Sequence, residues 1–279
     1  MCFYLDSNFI SNLIVTLIGS FAGVYLAIIA SRIQEQRRNK TLLLFFSKMI
    51  DSIVSHTKKQ IENVKDLSIR LKEKPLEIHL IGMIATLEFE RVKSIDSITL
   101  NKTYDHYFKK NPEEFNKALA YIDYLGIAIK EFFSRNEKHI NFIHNDKIFI
   151  RDQIELLIYH IGMYVMEIEQ NNNAYISDPD YKFLSPYMNR LSELTRNKNN
   201  DLSIYEDDIL TPLNNTLLHN LINRPTREHL FQIVKQAKNR LDGIRFNSIE
   251  FANSLVQDFE IIEKALKYLE MISIKINER

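Results

Sequence analysis

Few side chains in this sequence are spaced to do chemistry, and the best-spaced pair is Arg224 and His229. In the run Arg224-Pro-Thr-Arg-Glu-His229, Pro225 suits the opening of a helix, which would leave Arg224 exposed and His229 in the first turn. His139, His144 and Asp146 fall close together in a polar segment, a candidate cation site whose plainer reading is a solvated turn. Tyr205-Glu206-Asp207-Asp208 offers carboxylates to a divalent ion, or simply acids suited to the start of a helix. His79 and His160 lie within apolar runs and read as core histidines. The other chemical signatures are missing. There is no phosphate-binding glycine loop, no G-x-S-x-G and no H-E-x-x-H. The one cysteine, Cys2, leaves the rest of the chain without a thiolate nucleophile or a cysteine zinc site, so no metal and no cofactor is expected.

The Arg224–His229 spacing, at the start of a helix in an all-helical chain, resembles the active-site motif of HEPN ribonucleases. In that family an Arg and a His from separate subunits converge on an RNA backbone. The resemblance covers the six residues 224–229, and Pro225 stands where the family usually has a polar residue. It implies a ribonuclease with Arg224 and His229 as its catalytic pair. Arg135 and His139 are one residue too close for the same motif.

What would position such residues starts at the N-terminus. From Ser7 to Ser31 there are 25 residues and no charge. As a helix this run is about 37 Å long, enough to cross a hydrocarbon core of about 30 Å with some tilt. Only Asp6 precedes it, whereas Arg32, Arg37, Arg38 and Lys40 follow at once. Basic residues after the apolar run put the N-terminus outside and the bulk of the chain in the cytoplasm, at the inner membrane. The run is too long for a cleaved signal peptide, and its basic residues lie on the wrong side. Gly19, Gly23, Ala27 and Ser31 recur every four positions and form a face on which two helices could associate.

The rest reads as all-α. Gly and Pro number six each, and there is no Trp. Apolar residues step by threes and fours with no strand-like alternation. Lys plus Arg equals Asp plus Glu at 36 each, so no net field draws in nucleic acid. The abundance of Asn, Lys and Ile suggests an AT-rich, bacterial genome.

The expected organisation is a short outer tip at 1–8, a transmembrane helix at 9–31, an amphipathic helix at 32–73 and a helical domain at 74–279. Within that domain the expected helices are 76–93, 112–136, 147–170, 179–196, 209–222 and 226–242, then a last one. The segments 94–111 and 137–146 read as polar connections, and 197–208 as a flexible loop. Gly243 reads as a stop just past a helix, and Asn247 with Glu250 as the capping box of the last one.

The leading functional expectation is a single-pass, membrane-anchored interaction or sensing protein. It would self-associate through its anchor and meet an unidentified cytoplasmic protein, with no nucleic acid. In layout this looks like membrane-tethered defence proteins of the abortive-infection type. The alternatives are the tethered ribonuclease and a scaffold that recruits a cytoplasmic complex.

Overall fold

The computed structural model describes residues 7–82, 84, 87–108, 112–197, 201–219 and 224–278, with side chains for all of these except 7–14, 112, 218–219 and 224–225. Most of the outer tip, Cys2, Asn111 and the side chains of Arg224 and Pro225 therefore lie outside the described residues. Among the described residues the chain is all helix and turn, with no strand.

The first helix, α1 (Ser7–Glu73), is 67 residues long and unbroken, so the apolar run and the amphipathic segment are one element. Every described side chain from Val15 to Arg38 is exposed. The stripe Phe46, Ile50, Ile53, Thr57, Gln60, Ile61, Val64, Leu67 and Leu71 is buried throughout. It packs on its own chain, as its three-four spacing predicts.

Two compact units share this helix. The first comprises residues 1–58, 84–127 and 261–279. It groups the first part of α1 with α2 (Glu88–Ser94), α3 (Ser97–Tyr107), the start of α4 (Pro112–Asn171) and most of α9 (Phe259–Asn277). Aromatic rings knit it together: Phe46 and Tyr104 lie 5.7 and 5.3 Å from the Phe115 ring. Ser47 and Ser273 exchange a buried hydroxyl hydrogen bond of 2.7 Å. Glu114 accepts from the Tyr104 hydroxyl at 3.0 Å and pairs with Lys275.

The second unit comprises residues 59–83 and 128–260. Its core is built from the later part of α4, α5 (Pro179–Arg196), α6 (Leu202–Tyr205), a π-turn (Glu206–Leu210), α7 (Thr211–His219) and α8 (Arg224–Gln257). Asp178 caps α5 by accepting from the Asp180 and Tyr181 amides. The π-turn precedes Pro212, which has no N–H to give to the turn before it.

Several expected boundaries are wrong, each for a physical reason. The segment 137–146 is not a turn, because α4 runs straight through it. Its buried stripe continues through Asn136, His139, Ile143, Asp146 and Ile150, so polar residues occupy inward positions and hide the period. Likewise α8 does not stop at Gly243, and Asn247 and Glu250 lie inside it and cap nothing. Its stripe runs on through Leu241, Ile244, Ser248, Ala252 and Leu255.

Of the expected core helix 76–93, residues 76–82, 84 and 87 are turn or irregular, 83, 85 and 86 lie outside the described residues, and only 88–93 are helical. The Gly82 carbonyl accepts from Gln60 and Asn63 of α1 at 3.1 and 3.0 Å, in place of a helical partner. The expected connection 94–111 contains α3, capped by Asp96, whose carboxylate accepts from the Ile98 amide at 3.0 Å. Of the expected loop 197–208, residues 202–208 are helical, while 198–200 lie outside the described residues. The last helix keeps its expected stripe, with Phe259, Ile262, Leu266, Leu269, Ser273 and Ile276 all buried.

Candidate functional site

His229 sits early in α8, one residue before Leu230, which is fully buried. That packing leaves His229 exposed at the edge of the seam with α4. On α4 the fully buried Leu157 and Ile161 place the half-buried His160 at the same edge. The two imidazoles meet there, Nε2 to Nε2 at 2.9 Å, with ring centroids 4.1 Å apart and planes at 82°.

A hydrogen bond between two ring nitrogens needs a proton on one and a lone pair on the other. The arrangement therefore suits a pair in which one Nε2 carries a proton and the other offers its lone pair. Burial, and then the charge of His229, lowers the pKa of His160, which agrees with that state.

The pair opens on a cleft of about 510 Å³ lined by Met163, Tyr164, Met166, Glu167, Gln170 and Thr226. Tyr164 donates its hydroxyl to Asp180 Oδ2 at 3.0 Å. Burial and that carboxylate push its pKa up to about 12, so it stays protonated at neutral pH. Two imidazoles that share a proton can act as general acid and general base. Arg224 begins α8 five residues earlier, but its side chain lies outside the described residues.

The other candidates disperse. His139 is buried on α4, its Nε2 3.4 Å from Ser248 Oγ and its ring 4.5 Å from that of Phe251. His144 is exposed, and Asp146 is buried against Arg240 at 3.0 Å. Arg135 reaches Asp258 at 3.5 Å instead of working with His139. Glu206 is buried and held by both terminal nitrogens of Arg245, and Asp208 accepts from Arg190 Nε at 3.0 Å. The acid cluster is thus tied up by arginines. No group of three His, Cys, Asp or Glu among the described residues could hold a metal ion. His79 is buried with its Nε2 2.9 Å from the Lys74 carbonyl, a core histidine as its apolar setting predicts. His160 belongs to the cleft instead, and a partner 69 residues away leaves no spacing signal in the sequence.

On α1, the region around Gly19 and Gly23 is open: nothing lies within 4 Å of where a Cβ would stand on either. Ala27 and Ser31 are exposed on the same helix, as are Arg32, Arg37, Arg38 and Lys40 just beyond. Ser20 returns its hydroxyl to the Thr16 carbonyl at 2.8 Å, so this polar group is satisfied within the helix. By length and composition this helix could cross a membrane, and none of its apolar stretch is buried.

No protein family matches the chain, and neither a curated protein nor a solved structure is detectably similar to it.

Proposed function

We propose that this chain is a single-pass membrane protein whose helical units act in the cytoplasm as an interaction or sensing module. One observation carries this reading. A single unbroken helix is apolar and wholly exposed in its first part, yet from Leu43 onward it supplies the buried stripe of the bundle. An exposed surface of that kind is costly in water and finds its natural solvent in lipid. The cations from Arg32 to Lys40 set the direction, with the N-terminus outside and the units inside. In this reading the Gly19–Ser31 face pairs two anchors, and the layout is that of a membrane-tethered defence effector.

Protease added to intact spheroplasts tests the placement: the bulk of the chain should survive. Recovery of the full chain in the soluble extract, or digestion of its bulk from outside, would overturn it. Gly19→Ile with Gly23→Ile tests the pairing in a membrane two-hybrid assay. Both sites are open, so the variant should leave the chain folded and lose association. Unchanged association would remove that face from the account.

The His160–His229 pair at the cleft beside the start of α8 favours a second reading, a tethered ribonuclease. In that case His229→Ala and Arg224→Ala would each abolish RNA cleavage with the helical content intact. Purified full-length protein that leaves RNA whole would exclude it.

A further inference from the structure

In the two turns just beyond the charge-free run, α1 forms one wall of a second cleft. Arg32, Glu35, Gln36 and Asn39 line it from α1, and Lys102 and His106 face them from α3, around a volume of about 430 Å³. The two helices run antiparallel here. Near the end of α3, Tyr107 donates its hydroxyl to the Gln36 carbonyl at 3.3 Å. Near its start, Asp96 and Thr99 share a pocket with Thr41 and Phe45, farther along α1. The end of α3 is thus directed back toward the apolar run.

Depth along α1 fixes what lies nearby. At about 1.5 Å per residue, Gln36 is about 7.5 Å past Ser31. A polar headgroup layer occupies about 5–8 Å on each side of the hydrocarbon. The cleft therefore opens at headgroup level, and Tyr107 sits at the depth that tyrosine favours at a bilayer surface. Among the described residues neither Arg32 nor Lys102 forms an ion pair or a side-chain hydrogen bond, although Lys102 is close enough to Asp96 to help lower its pKa. Glu35 is the one acid in the lining, against these two cations and His106.

We propose that this cleft binds the phosphate of an anionic phospholipid headgroup, drawn from the leaflet that α1 has just crossed. Arg32 and Lys102 supply the charge, and the side-chain amides of Gln36 and Asn39 supply neutral donors. The inference rests on the membrane span proposed above. Inorganic phosphate offers the same chemistry from the aqueous side, so a test must separate the two sources.

Full-length protein in nanodiscs of equal parts phosphatidylglycerol and phosphatidylcholine, analysed by native mass spectrometry, makes that separation. Two cations held against one headgroup, at about fivefold each, predict roughly a 30-fold preference for phosphatidylglycerol at the cleft, above the diffuse attraction that every nearby cation shares. Arg32→Gln with Lys102→Gln should remove most of that preference. Arg37→Gln with Arg38→Gln takes away the same charge from the α1 flank outside the cleft and should retain it. Equal losses in the two double variants would mean diffuse attraction and overturn the site, as would no preference in the wild type. Phosphate that binds equally well in purely phosphatidylcholine discs would overturn lipid as the source. Protease protection in those same neutral discs checks the span by itself: a chain that inserts yet shows no lipid preference refutes only the headgroup site.

Discussion

Acidifying the protein from pH 7 to pH 4.5 should cost it stability through His139. That side chain is 8% exposed, between Ser248 and the Phe251 ring. Ser248 gives its hydroxyl proton to the Pro75 carbonyl at 2.9 Å, so the bond to His139 is best made by an imidazole N–H pointing at the serine oxygen. A second proton on that ring would be buried. Burial first, and the charge of His79 second, hold the pKa at about 4, against 6.5 for an unhindered histidine.

The sign follows from proton uptake. Below pH 6.5 the unfolded chain binds a proton that the folded chain refuses until about pH 4. Stability from this group is unchanged above 6.5, falls as pH drops from 6.5 to 4, and is level below that. At about 1.4 kcal/mol per tenfold change in proton affinity, the full effect is about 3 kcal/mol, most of it present by pH 4.5. Urea unfolding of the full chain in detergent, followed by circular dichroism because there is no Trp, measures it. His139→Gln should be less stable at pH 7 and should flatten the slope between pH 7 and 4.5 by about that amount. Parallel pH profiles for the two proteins would refute the reasoning.

The same titration at neutral pH tests two more sites. Gly243→Ala should stabilise by about 0.5–1 kcal/mol, because the residue lies inside α8 with nothing within 4 Å of an added Cβ. A loss of stability there would mean that Gly243 ends a helix after all. Glu206→Gln should cost about 2 kcal/mol, less than a fully buried pair would, because the Arg245 side chain left behind is 36% exposed. Replacing both partners with Leu and Met should recover most of that loss, and failure to do so would mean that the ion pair is not the source.

What the sequence made legible was periodicity wherever apolar residues carried it. The stripes Phe46–Leu71 and Leu255–Ile276 are buried as their spacing requires. Where polar residues take inward positions, the same period is present but unreadable. Asn136, His139 and Asp146 hid the middle of α4, and Ser248 helped to hide the continuation of α8. Turn chemistry misled in the same places, since packing on both sides outweighs the roughly 1 kcal/mol that Gly243 costs a helix. At the cleft, His229 is singled out only by a resemblance, through its spacing to Arg224, whose side chain lies outside the described residues. The partner it meets, His160, was not legible as one, because tertiary pairing over 69 residues leaves no local trace.

The unbroken course of α1 has a mechanical consequence. Between Gly23 and Pro75 it contains neither glycine nor proline, the residues at which helices most readily kink. Torque or axial thrust on its apolar end is carried along continuous helix to Leu43 and Phe46, with no built-in hinge to absorb it on the way. The first unit is thus geared to the apolar end of its own first helix like a key to its shaft.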